Sequence, residues 1–493
     1  MTDWKKLHRY PHWFRVFWGL LLFGSAACSS SLLSRPTVEG PLSMGEELRI
    51  GILISEQNWR NIYRSNRLID ASYLMRDRIN ACGGVNRAPV SIVIAEAEAT
   101  EKTETEAIRT LINEHRVHGI IAQFSSQNPT SAIEQAIQSE TPLLVASIDV
   151  WQSMVPYHLH SNYWGYIIPS QQQRIRAWTQ FIRDQGYSQT ALIVSDLDDI
   201  DRWQRQFVQS YRSIDGRVIN VEEPIVWQPS SESPAQSTDR DASSDEVVRE
   251  QIDQLQQLID QNRIEIAAQA QQVQAETISN SDDADTAQSS ESGGTAIAVM
   301  VDAEAGADLL TTMVSIGWQS EEMPIFWYDP AGLESILDRT IPEAETDIQP
   351  AESEILEAIA GMLGIKPAAN GEGFQEFNQA WDQRLEHQAT PQAAKMWDGV
   401  GLFALAAHQS GQNSRSSIFS GLPQVSNPPG IPLTNICEGF EQLQAQEIID
   451  FQGASSSLDL NPIGEVPATF DVWQLNADGD ITILDSFAVD AHN

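Results

Sequence analysis

The chain has 493 residues, enough for two core-sized domains with tails, and its 41% hydrophobic and 20% charged content is ordinary for a folded protein. Its net charge of −38 is extreme, and because the first 27 residues are net positive the remainder is more acidic still. Such a surface repels phosphate backbones and anionic lipid, which argues against nucleic acid as a partner.

Four basic residues, Lys5, Lys6, Arg9 and Arg15, precede the apolar run Val16–Gly24, and the small residues Ser25, Ala26 and Ala27 lead to Cys28. A charged start, a short apolar stretch and a small-residue exit describe an export signal over residues 1–27, too short to span a bilayer comfortably. Ending at a cysteine, it resembles a bacterial lipoprotein signal, which implies that Cys28 is lipidated and anchors the chain to a membrane. Ser25 stands where that pattern usually has leucine, and simple cleavage or an uncleaved anchor are the alternatives. Lipidation and cleavage both place the folded part outside the cytoplasm, in the periplasm, with residues 28–47, rich in Ser, Pro and Gly, as a tether. Cys82 and Cys437 could pair in such an oxidising compartment. Sequence separation does not bring two Cβ atoms together, however, so two independent buried thiols are expected. Without clustered histidines they make no zinc site, and neither a metal nor a cofactor is expected.

Strand-like apolar runs follow at Arg49–Ile54, Val90–Ala95, Gly119–Ala122, Pro142–Ala146 and Thr190–Val194, then at Val218–Val221, Ala296–Val301 and Pro324–Tyr328. Between them lie helical periodicities. Leu68, Ala71, Ser72, Met75 and Ile79 share one face, as do Ala107, Leu111 and Ile112, and Ile133, Ala136 and Ile137. Alternation of this kind predicts an α/β fold with parallel sheets covered by helices on both faces. The pattern restarts near Trp178, which predicts a second lobe of the same architecture. Two stretches, about residues 229–244 and 269–294, have almost no large apolar side chains and read as disordered acidic surface inserts. Toward the end come a helix around Met396–His408, a Ser-, Gly- and Pro-rich loop over Ser410–Pro432, and a helix near Glu438–Glu447. A hairpin over Thr469–Leu484 turns at Ala477-Asp478-Gly479.

Catalytic signatures are absent: no phosphate loop ending in Gly-Lys-Ser/Thr, no G-x-S-x-G elbow and no H-E-x-x-H. What stands out is a set of turns at the carboxyl ends of predicted strands, where ligands bind in open α/β sheets. Ser125 and Ser126 follow the third strand, Ser147 and Asp149 the fourth, and Asp329 the run Pro324–Tyr328. After the first strand comes an aromatic and basic loop holding Trp59, Tyr63 and Arg64. Taken singly, each Ser or Asp is equally a helix cap; four such loops meeting at one crevice make a binding site.

The segments "INACGGVNRAPV", "AIRTLINEHRVHGIIAQFSS", "PLLVAS", "IIPSQQQ", "MWDGVGLFALA" and "DVWQLNADG", in that order and spacing, resemble the type I periplasmic solute-binding proteins. These are the branched-chain-amino-acid-binding, Leu/Ile/Val-binding-like family of ABC importers. The resemblance spans nearly all of residues 47–487 and implies a clamshell of two doubly wound lobes joined by three crossovers. The first lobe would comprise residues 48–167 and 366–470, the second 168–365 and 471–488. It implies no enzyme activity but capture of one small polar solute, an amino acid or a relative of one, by a monomer that delivers it to an ABC permease. It further implies that Ser126 holds a ligand carboxylate, that Asp329 pairs with a ligand ammonium, and that Tyr63 or Arg64 lies near an aromatic wall. The family's Ser-Ala-Thr turn aligns with Ile148-Asp149-Val150, so its threonine hydroxyl is missing, and the second lobe's Tyr-Gly pair is replaced near Ile200-Asp201. The alternative is a ligand-independent envelope lipoprotein that regulates a partner on the same fold.

Overall fold

The computed structural model describes residues 46–56, 62–126, 128–148, 163–195, 200–220, 225–227, 295–301, 303–315, 318, 324–328 and 352–489, with 253, 254, 257 and 264 as isolated positions. The expected inserts at 229–244 and 269–294, the export signal and Cys28 lie outside the described residues.

Five strands form the first sheet: β1 (Leu48–Glu56), β2 (Val90–Glu98), β3 (Gly119–Phe124), β4 (Leu143–Ile148) and β5 (Trp164–Tyr166). Their spatial order is β2-β1-β3-β4-β5, all neighbours parallel. Alternation of side chains along a strand explains why it needs cover on both faces. In β1, Ile50, Ile52 and Ile54 enter one core, whereas Leu53 enters the other.

The second sheet takes β6 (Gln189–Ser195), β7 (Arg217–Val218), β8 (Ile225–Trp227), β9 (Thr295–Met300), β10 (Ile325–Tyr328) and β11 (Leu363–Pro367). After β12 (Ile431–Leu433) and β13 (Ile449–Phe451), which pair only with each other, β14 (Ala468–Leu475) and β15 (Ile481–Val489) complete it. Its order is β15-β14-β11-β10-β9-β6-β7, with β8 also on β6; β14 runs antiparallel to both of its neighbours, β11 and β15, and the other pairs are parallel. Here too the strands serve two cores: Ile325 and Trp327 of β10 face one, Phe326 and Tyr328 the other. The fold is therefore α/β with two doubly wound lobes.

The chain passes between sheets three times: from β5 to β6, from β11 back to the helix Phe374–Asp382, and from β13 to β14. These crossovers are stitched to one another. Tyr166 N donates to Gly464 O (2.7 Å), Gly371 N to Ala454 O (3.1 Å) and Gly373 N to Gly453 O (2.9 Å). The Gln173 side chain adds a bond to Val466 O at 2.7 Å. A fully buried aspartate, Asp398, ties the third crossover to the first lobe. Its Oδ1 accepts from Ala454 N (2.7 Å), and its Oδ2 accepts from Ser455 N (2.7 Å) and Ser455 Oγ (2.6 Å).

Asp398 sits on the central helix Pro391–Ser410, which is buried at every position from Ala393 to His408. Thr390 caps its start, proline occupies its first turn, and Gly411 closes its end at φ 67°, an arrangement each residue type favours.

Two expectations are corrected. The Ser-, Gly- and Pro-rich stretch over Ser410–Pro432 contains a helix, Arg415–Ser426, capped by Ser414. Composition argued for a loop, but Ile418, Leu422 and Val425 recur at helical spacing and are buried against the central helix. Burial of about 2 kcal/mol per side chain outweighs the weak local preference. Secondly, Cys82 and Cys437 are not independent thiols: they form a disulfide, with Cα atoms 5.5 Å apart. The end of the helix Ile62–Ala81 and the start of the helix Ile436–Gln444 lie side by side in the first lobe, a proximity that a separation of 355 residues hides.

The glycine turn after Cys82 ends its helix. Gly84 N bonds Ile79 O (3.0 Å) and Gly83 N bonds Asn80 O (3.1 Å), with φ of 76° and 100°. Asn86 and Arg87, also at positive φ, then make a two-residue turn closed by the Val85–Ala88 pair. A Cβ at Gly84 would collide with the Ala88 carbonyl oxygen, whereas one at Gly83 meets open space. Gly84→Ala is expected to cost about 3 kcal/mol in urea unfolding, from left-handed strain plus a backbone shift. Gly83→Ala should cost about 1 kcal/mol, from the strain alone. Equal losses would show that the collision is relieved without cost.

Candidate functional site

At the carboxyl end of the first sheet a polar network joins β1 to β3. Gln123, the penultimate residue of β3, accepts from Ser55 N through Oε1 (2.7 Å) and donates through Nε2 to Ser125 Oγ (2.7 Å). Ser125 Oγ in turn donates to Ser55 O at 2.8 Å. In register beside Gln123 stands Ser147 of β4, where a shift between Ala122 and Gln123 breaks the regular ladder.

The turn itself, Ser125-Ser126, is held from below by a carboxylate. Glu104 Oε1 accepts from Ser125 N (2.9 Å) and Ser126 N (2.8 Å), and its Oε2 accepts from Ser126 Oγ. All three residues are buried, Glu104 completely. Glu104 belongs to the helix Glu101–Asn113, capped at Thr100, and lies on its buried face with Ala107, Ile108 and Leu111. A carboxylate removed from water is tolerable only with such donors, each charge-assisted bond contributing about 2 kcal/mol. The arrangement is therefore complete within the protein: two backbone N–H groups and a hydroxyl aimed at one internal anion.

Of the expected site residues, Ser125, Ser126 and Ser147 come together at this edge. Tyr63 and Arg64 fall in the first turn of the helix Ile62–Ala81 that follows β1. Trp59, Asp149 and Asp329 lie outside the described residues. In the second sheet β10 ends at Tyr328, whose ring is 6.0 Å from that of Trp178. On the same helix as Trp178, Gln171–Asp184, Gln171 and Arg174 occupy the preceding turns and are about nine-tenths buried. Gln171 Oε1 and Arg174 Nε have no hydrogen-bond partner among the described residues.

Glu104 and Arg174 were not among the expected residues, and each left a signal. Glu104 is a charge three, four and seven residues before Ala107, Ile108 and Leu111, on an apolar stripe where a charge needs a partner. Arg174 likewise interrupts a buried face. Among the described residues there is no group of three or more His, Cys, Asp or Glu placed to hold a metal ion, and no helix long and apolar enough to cross a membrane.

Two lobes of mainly parallel sheet share three stitched crossovers and present polar turns at the carboxyl ends of strands, the place where open α/β sheets bind ligands. Residues 47–231 match the family described as periplasmic binding protein, and residues 241–478 match the receptor family ligand binding region. Neither match spans half of the chain, but the two follow one another along it, and with the two-lobed fold they liken the chain to the type I periplasmic binding proteins. Among solved structures it is similar to the substrate-binding protein LivJ of a Streptococcus pneumoniae branched-chain amino acid transporter, determined with isoleucine. Identity is 14%, coverage 90% of this chain and 100% of that one, and the TM-score 0.56. A Desulfitobacterium hafniense ABC transporter substrate-binding protein in complex with Leu compares at 14% identity, 89% and 100% coverage and a TM-score of 0.55. A Rhodopseudomonas palustris ABC transporter solute-binding protein holding 3,4-dihydroxybenzoic acid compares at 13%, 91% and 98%, and 0.54. At these identities the likeness establishes the fold. No functionally curated relative matches the chain in sequence.

Proposed function

We propose that the protein is an extracytoplasmic solute-binding lipoprotein, anchored through Cys28, which captures a small polar solute between its lobes and delivers it to an ABC permease as a monomer. The observation that carries this reading is a pair of successive family matches, to periplasmic binding protein over residues 47–231 and to the receptor family ligand binding region over residues 241–478. The site would be lined by Ser125, Ser126 and Ser147 with Trp59, Tyr63, Arg64, Asp149 and Asp329, in keeping with the preference of small-molecule sites for domain interfaces. Closure of the lobes on the ligand would bend the stitched crossovers. The neighbouring structures hold an amino acid in two cases and an aromatic acid in the third, so they support solute capture in general more strongly than any one solute.

A thermal-shift screen over amino acids, their amides, short peptides, polyamines and aromatic acids tests the reading. A ligand bound only by the folded state at one hundred times its Kd adds about 2.7 kcal/mol, a rise of several degrees. If a well-folded preparation responds to none of them, the reading falls and the ligand-independent regulatory lipoprotein replaces it.

A further inference from the structure

We infer that Glu104 sets the chemical class of the solute: the first-lobe turn Ser125-Ser126 is closed to carboxylates and receives instead a cationic or N–H-bearing group. This inference rests on the solute-binding reading above and deepens it. An open pair of backbone N–H groups beside a serine hydroxyl is a ready anion cradle, because all three can donate to one charged group. In this protein the three donors already converge on one carboxylate, that of Glu104, with Ser125 N at 2.9 Å, Ser126 N at 2.8 Å and Ser126 Oγ on the other oxygen. Each N–H has a single proton, and the Ser126 hydroxyl has given its only one to Glu104. The remaining hydrogen-bonding capacity of that hydroxyl is as an acceptor.

A second carboxylate brought to this turn would find no donor left and would meet a like charge at hydrogen-bonding range, in a buried setting where screening is weak. An ammonium, guanidinium or amide N–H would meet the reverse: hydroxyl lone pairs backed by a negative charge. The preference is thus one of sign, built from inside the lobe by a residue that itself lies beneath the turn. Glu104 is accordingly a specificity-determining residue that acts through Ser125 and Ser126.

The test uses the exported protein labelled with 15N-serine and titrated with sodium acetate, the smallest carboxylate probe. The amide resonances of Ser125 and Ser126 should stay unmoved in the wild type and shift saturably in Glu104→Ala. Movement in the wild type overturns the inference, since the cradle would then be open; silence in Glu104→Ala also overturns it, since Glu104 would not be what closes the turn. Should Glu104→Ala fail to fold by circular dichroism, Glu104→Leu fills the same space without an acceptor, so that both N–H groups are freed, and the same two outcomes decide. In parallel, matched pairs are compared by calorimetry: an amino acid with its amide, a diamine with the dicarboxylic acid of equal length. The wild type should bind the amide or diamine at least ten-fold tighter, and Glu104→Gln should lose that margin. Binding by the carboxylate members alone sinks the role given to Glu104 and leaves solute capture standing. If no member of any pair binds, solute capture itself falls, and the inference with it.

Discussion

Asp398→Ala lowers the free energy of unfolding by about 4 kcal/mol, the cost of leaving several buried donors without their charged acceptor. Asp398 is fully buried and holds Ala454 N, Ser455 N and Ser455 Oγ at 2.6 to 2.7 Å, so the alanine leaves three donors of the third crossover unpaired. It also strands Lys395, a buried ammonium one helical turn away that is drawn to Asp398 and to Asp471 of β14. Burial pulls the Lys395 ammonium down to about 8 against those two carboxylates. Burial likewise pushes the Asp398 carboxyl up to about 6, opposed by its three donors and by Lys395.

The sign of the pH dependence follows. A carboxyl whose folded value lies above its ordinary 3.8 favours the fold most when protonated in both states, and loses that contribution as pH rises through 6. The loss is about 3 kcal/mol for a shift of this size. Lys395 is protonated in both states over that window and adds nothing to the slope. Asp398→Asn has no such titration. Its deficit against the wild type should therefore grow by about 3 kcal/mol as pH falls from about 7 to about 4, measured by urea unfolding at each pH. A deficit that stays flat or shrinks on acidification would show that the three donors and Lys395 hold the carboxyl near or below its ordinary value.

Architecture was legible because its signal is local. Runs such as Arg49–Ile54 and Ala296–Val301 need only be apolar and short to be read as strands buried on both faces, and they fall within β1 and on β9. Of the strands of three to five residues, Ile325–Tyr328 was legible but others were not. Trp164–Tyr166 and Leu363–Pro367 carry too few residues for a periodicity and owe their conformation to the neighbours they pair with. The helix Arg415–Ser426 was obscured for a related reason: Gly421 and Pro423 speak against a helix locally. Gly421 is nonetheless needed where that helix crosses Ala406, whose carbonyl oxygen would stand 3.1 Å from a Cβ. Site placement was partly legible, since turns at strand ends can be counted along the sequence, and Ser125, Ser126 and Ser147 do meet at one edge. The polarity of that edge was not. It depends on Glu104, twenty-one residues before Ser125, turning inward, and nothing in the turn's own sequence records that its donors are already taken.

Replacing both cysteines, Cys82→Ser with Cys437→Ser, is expected to lower stability by about 4 kcal/mol under oxidising conditions and to leave the reduced wild type and the variant nearly equal. The reason lies in how the first lobe is assembled. Its sheet and first helices come from the chain before residue 168, whereas the central helix Pro391–Ser410 and the helix Ile436–Gln444 arrive only after the second lobe has been traversed. The core nevertheless mixes the two segments: Ile50, Leu68 and Met75 pack in one cluster with Trp397, Phe403 and Phe440. Without a covalent tie, the unfolded chain can separate these segments freely, and a link across 355 residues removes much of that freedom. The dependence on loop length is logarithmic, so so long a span adds only modestly to the several kcal/mol expected of a shorter one. Unfolding in urea, with and without reductant, measures the effect, and the slope should steepen in the variant because its denatured state is less compact. A difference below about 1 kcal/mol would mean that the mixed core alone holds the two segments together. The bond also bears on location, because a structural disulfide persists in an oxidising compartment. The same staple that closes a discontinuous lobe is thus an independent chemical reason to place the folded chain outside the cytoplasm.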